Sequence, residues 1–157
     1  MVKYRFLTDE ELQGFDEEFK HFLIANGLHA EEWKSMNINE PNKAIEIVGL
    51  FSDLILDKVY DKTEYVLHTG DKNLKAFKFF KEKAVLIGVE FQGEGVMSKE
   101  NTIKFIVDNA SQMLLYATSK NFNEEKRNKE LHLLVNNGAV VTDEKVFNFL
   151  SNMKGLK

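Results

Sequence analysis

The 157 residues carry 43% hydrophobic and 29% charged side chains with a net charge of −4. That balance fits one globular domain, not a disordered, collagenous or membrane chain. No cysteine is present, which excludes disulfides, thiolate metal centres and cysteine nucleophiles.

The first residues, Met-Val-Lys-Tyr-Arg-Phe-Leu, meet acid at Asp9 and lack the apolar core of a signal peptide. No run approaches the ~18 apolar residues of a membrane span, so the expected setting is cytoplasmic. Thr8 is a good helix cap and has capping-box spacing to Glu11. Leu12, Phe15, Phe19, Phe22 and Leu23 then recur at three and four, and Asn26-Gly27 is a stop signal, which predicts a helix over 9–26. A short helical turn is expected around Glu31, Glu32 and Trp33.

Asn39 reads as the next cap, with Pro41 in the first turn where its missing N–H costs nothing. Ala44, Ile47, Val48, Phe51, Leu54 and Ile55 form an apolar stripe, so a helix to about Tyr60 should pair antiparallel with the first. From Thr63 the period changes to two. Strands are expected at Tyr65–Thr69, Leu74–Phe80 and Ala84–Gln92, the last with Val85, Ile87, Val89 and Phe91 on one face. Ser98 is expected to cap a short helix carrying Ile103, Phe105, Ile106 and Val107, and Met113–Thr118 to form a fourth strand. A charged helix should run from Asn123 to Asn137-Gly138, and Thr142 should open a last one. The layout is α+β: an N-terminal helix pair, a central antiparallel sheet of three to four strands, and C-terminal helices, in one domain over residues 1–157.

Tyr4-Arg-Phe-Leu-Thr-Asp-Glu-Glu-Leu12, Phe22-Leu23, Asn26-Gly27, Glu32-Trp33, Val48-Gly-Leu-Phe-Ser-Asp53 and Val59-Tyr60 together resemble a family of short, uncharacterised bacterial cytoplasmic proteins. No activity comes with the resemblance. It implies a bacterial, cytoplasmic origin and transfers no functional position.

No phosphate-loop, dinucleotide, nucleophile-elbow or zincin motif occurs, and no cofactor is expected. Glu18-Phe-Lys-His21 has di-iron spacing, but two such motifs are needed. On a wheel of about 100° per residue His21 also falls opposite the Leu12 stripe. Asp53 and Asp57 are neighbours at i,i+4 and are weak metal candidates. His68, with Tyr65 and Glu90, is the weak catalytic candidate, since histidine suits proton transfer near neutral pH; His29 and His132 offer less. Lys72, Lys75 and Lys78, interleaved with Phe77 and Phe79 up to Lys83, have the composition of a single-strand stacking platform. The acidic whole disfavours nucleic acid. The paired helices of 123–153 have a helix–turn–helix look, yet Asp143-Glu144 at the second helix's start would face phosphates. Asp9, Glu10 and Glu17 mark an acidic face that could dock a basic partner. The preferred expectation is a non-enzymatic binding or adaptor protein with a protein partner or homo-oligomer. The alternatives are a small-ligand or enzyme site around His68, and single-strand binding through Lys72–Lys83.

Overall fold

Thr8 opens the first helix as its sequence requires. Its hydroxyl accepts from the Glu11 N–H at 3.2 Å and its own N–H donates to Glu11 Oε1 at 2.9 Å, which satisfies two otherwise orphaned donors. The computed structural model describes residues 2–154. These fall into two compact units that divide between Asp61 and Lys62.

The first unit is helical. Helices α1 (Asp9–Gly14), α2 (Asp16–Ala25) and α3 (Ala30–Asn39) precede α4 (Pro41–Lys62), whose last residue belongs to the second unit. The expected helix over 9–26 is thus divided at Phe15, next to the flexible Gly14. The expected single turn at Glu31 is a full helix, α3. Asn39 ends α3 rather than capping α4, and the Glu40 carbonyl takes the first amides of α4. Pro41 does occupy the first helical position. Phe51 is the aromatic centre of this unit, with the Phe19 ring 4.9 Å and the Phe22 ring 5.4 Å away. Leu54, expected on the buried stripe, is 41% exposed.

The second unit is a five-stranded antiparallel sheet, one strand more than the most expected. Its order is β4-β3-β2-β1-β5, from β1 (Tyr65–Thr69), β2 (Asn73–Phe79), β3 (Lys83–Phe91), β4 (Met113–Asn121) and β5 (Val140–Thr142). The extra strand is β5, where a connection was expected; Val140 pairs with Leu67 and Thr142 with Tyr65. Val-Val-Thr is β-branched throughout, but three residues carry too little alternation to register as a strand. The connection also removes the helix–turn–helix resemblance, since a strand separates the two helices.

Helices α5 (Thr102–Asp108), α6 (Glu124–Asn136) and α7 (Lys145–Lys154) complete the unit, with a 3-10 turn at Ala110–Gln112. Asn101, not Ser98, caps α5 by accepting from the Lys104 N–H at 3.2 Å. Gly138 ends α6 at φ 103, a conformation that favours glycine. One core gathers Leu74, Ile87, Val89 and Phe91 from the sheet with Ile106 of α5 and Phe147 and Leu150 of α7. Each such burial contributes about 1.5–3 kcal/mol. Opposite it, Arg127 of α6 is buried, donating from Nε to the Phe80 carbonyl at 2.8 Å and through its guanidinium to the Thr63 carbonyl.

Candidate functional site

Two hollows flank the Phe6 ring in the first unit. The segment before α1 is fixed along α4. The Lys3 N–H donates to both Asp53 oxygens at 3.0 and 2.8 Å, and the Tyr4 N–H reaches Asp53 at 3.3 Å. Lys3 Nζ and the Tyr4 hydroxyl both donate to Asp57. One turn back, the Leu7 N–H donates at 3.0 Å to Ser52 Oγ, which in turn donates to the Val48 carbonyl at 2.8 Å. These bonds lay Phe6 over Gly49, where an added Cβ would come within 3.3 Å of the ring.

Phe6 nevertheless remains 45% exposed, with Ile45 at 55% and Leu50 at 59%. A hollow of about 320 Å³ on one side is lined by Phe6, Leu12, Pro41, Ile45, Val48 and the carboxylate residue Asp9. On the other side a hollow of about 350 Å³ is lined by Val2, Phe6, Ile45, Leu50 and Glu46. Each is an apolar depression with one acid in its wall.

Arg5, next to Phe6 in the chain, is already committed. Arg5 donates to Glu11 at 2.7 and 3.0 Å, a bidentate pair, and together with the Thr8 amide it holds the Glu11 carboxyl down at about 2. Asp9 and Glu10 are both exposed in the first turn of α1. Of the three docking acids expected from sequence, Asp9 lines a hollow. Glu10 is beside it in the chain, and Glu17 lies on α2 outside both linings.

The other candidates are placed differently. Asp53 and Asp57 spend their oxygens on Lys3 and Tyr4, so they tie down a chain segment. Among the described residues no group of three or more His, Asp or Glu side chains could hold a metal ion, and His21 is exposed.

Tyr65 and His68 are three apart on β1, so the pleat sends them to opposite faces. The Tyr65 ring lies 5.8 Å from Phe147 of α7. His68 stands across from Lys75, beside Gly138. Glu90 is exposed two strands away, across from Asn73 and Leu114. The three do not converge.

The Lys72–Lys83 segment is likewise split by its pleat. Phe79 is buried, 5.9 Å from the Phe122 ring, while Lys78 turns to the other face, over Tyr65 and Phe80. A further hollow of about 270 Å³ on the Phe79 face is lined by Phe77, Phe79, Leu86, Phe122 and Leu134, with the Lys120–Glu130 ion pair in its wall at 2.9 Å.

Sequence reasoning missed Phe6, Ile45 and Leu50. Ile45 and Leu50 lie off the expected α4 stripe, but so do Leu56 and Tyr60, which are buried, so the stripe alone did not single them out.

The chain belongs to a family described as a family of unknown function (DUF6495), which it matches over residues 1–155. No curated protein and no solved structure matches it.

Proposed function

We propose that this protein is a non-enzymatic binding or adaptor module. Its partner would be a peptide or protein segment presenting apolar anchors flanked by basic side chains, seated on the two hollows around Phe6. The observation that carries this reading is the pairing of exposed Phe6, Ile45 and Leu50 with acids in the hollow walls, Asp9 and Glu46. Desolvated apolar anchors supply most of the affinity in such interfaces, and complementary charge supplies approach rate and choice of partner. A bacterial, cytoplasmic setting is part of the same proposal. The bacterial origin rests on the family resemblance, and the cysteine-free composition is compatible with a reducing compartment; no helix among the described residues is long and apolar enough to cross a membrane.

The test uses a fluorescent amphipathic peptide with leucine and phenylalanine anchors and flanking lysines, beside a matched peptide with glutamates instead. The basic peptide should bind, weaken as salt rises, and lose affinity at least tenfold with Asp9→Lys or Ile45→Asp. Equal binding of both peptides, or of neither, would refute the proposal.

The second reading, small-ligand binding, is favoured by the hollow lined by Phe77, Phe79 and Phe122, not by His68. A panel of small aromatic alcohols should then raise Tm, and Leu134→Trp should abolish the rise.

A further inference from the structure

Strand β4 is a sheet edge without the usual protection. It is nine residues long, and from Met113 to Ser119 it carries neither a charge nor a proline. Its register with β3 is continuous, without a bulge. Natural edges are normally shortened, charged, bulged or covered, because an uncharged one invites another strand.

The ladder shows which groups are left over. The Gln92 N–H donates to the Gln112 carbonyl and the Phe122 N–H to the Glu82 carbonyl. Even-numbered residues of β4 therefore direct their backbone groups to β3, and odd-numbered ones direct theirs outward. Two outward groups are occupied. The Met113 N–H is used by the turn before it, and the Leu115 carbonyl accepts from Lys154 Nζ at a long 3.4 Å. Among the described residues, Ala117, Ser119 and Asn121 have no backbone partner on that side, and all three are exposed. The Tyr116 ring does not obstruct them, since it leans inward over Gly88.

We infer that β4 is a self-association edge, on which a second copy of this chain adds its own β4 antiparallel across a two-fold axis at Ala117. Length selects that occupant. The other edge strand, β5, has three residues; it would leave most of β4 unpaired, and head-to-tail addition would run on into a filament instead of closing. Two copies of β4 match nine residues to nine, joining the sheets into one of ten strands.

Side chains agree with that register. Ala117 meets Ala117 at the centre, and Leu115 faces the small Ser119 of the second copy. Lys120 stands opposite Leu114 of the second copy, with Glu90 one strand further in. Lys120 keeps its own Glu130 partner at 2.9 Å, so the charge on the edge meets an apolar side chain and not its own kind. The Lys154 contact need not break, because a carbonyl oxygen can accept twice. This interface lies in the second unit and is independent of the hollows around Phe6.

The cysteine-free sequence makes the test direct. Sedimentation equilibrium should give twice the 18.1 kDa chain mass at micromolar concentration. Ala117→Cys should then close a disulfide dimer within minutes under mild oxidant, since facing hydrogen-bonded residues sit about 5.5 Å apart at Cα. Ser119→Cys, facing Leu115, and Glu100→Cys, on an exposed loop, should cross-link at least tenfold more slowly. Ala117→Pro, which removes an outward N–H, should be monomeric with an unchanged circular dichroism spectrum. A monomeric wild type at 100 μM or so would overturn the inference, as would equal cross-linking of the three cysteine variants. Peptide variants such as Asp9→Lys should leave the dimer intact, so the two proposals fail separately.

Discussion

The Tyr116 ring of β4 occupies the space that a side chain at Gly88 of β3 would need. The two residues face each other across the ladder, and a Cβ built on Gly88 would fall 2.1 Å from Tyr116 Cζ and 2.4 Å from its hydroxyl oxygen. The glycine is therefore a packing requirement. Its backbone leaves a trough in the sheet, and the aromatic ring of the neighbouring edge strand fills it.

Gly88→Ala should force the Tyr116 ring off the sheet. Because the obstruction is the far end of a side chain and not backbone, the expected cost is about 1–3 kcal/mol, the range of a local overpacking. Tyr116→Ala should absorb most of it, so a double-mutant cycle by urea denaturation should show strong coupling between the two positions. Additive effects would mean that the ring does not occupy the trough.

Asp53→Ala should release the segment before α1. Its two oxygens take the Lys3 and Tyr4 amides, and removing one acceptor costs about 1–3 kcal/mol only where the stranded donors stay dry. Lys3 is exposed, so water compensates in part and an effect near 1 kcal/mol is expected. Hydrogen exchange should rise at residues 3–7 and leave the sheet unchanged. Calcium or magnesium at millimolar concentration should not raise the Tm of the wild type, because the Asp53 and Asp57 carboxylates are engaged by the chain itself. A saturable rise abolished by Asp53→Ala would reinstate a metal site there.

The sheet was legible because its strands alternate. β1 was expected at the observed limits, Tyr65–Thr69, and β2 and β3 each within one residue, since Val85, Ile87, Val89 and Phe91 carry a clear period of two. β5 was invisible for want of length, and its place in the sheet comes from pairing with β1, a contact more than 70 residues away in sequence. The candidate surface was half legible. Asp9 stood out as part of a charge run. Phe6 read as an ordinary apolar residue, because its position depends on Lys3, Tyr4 and Leu7 being anchored to α4, and no local pattern encodes that. His68, Tyr65 and Glu90 formed a group only while the faces of their strands were unassigned.

Acid should loosen the start of α1 before the rest of the molecule. The Glu11 carboxyl is held at about 2 in the fold, first by Arg5 and then by the Thr8 amide, against an unfolded value of about 4.3. A depressed carboxylate pKa contributes stability that is complete above the unfolded value and disappears as pH falls through the folded one. The contribution should therefore be full at neutral pH and fade between about 4.5 and 2. Glu11 is 36% exposed, so solvent screening limits the pair to about 1 kcal/mol or less. Glu11→Gln should lower stability by that amount at pH 7 and have no effect near pH 2. A variant whose deficit is the same at both pH values would show that the loss is in packing and capping, not in the charge.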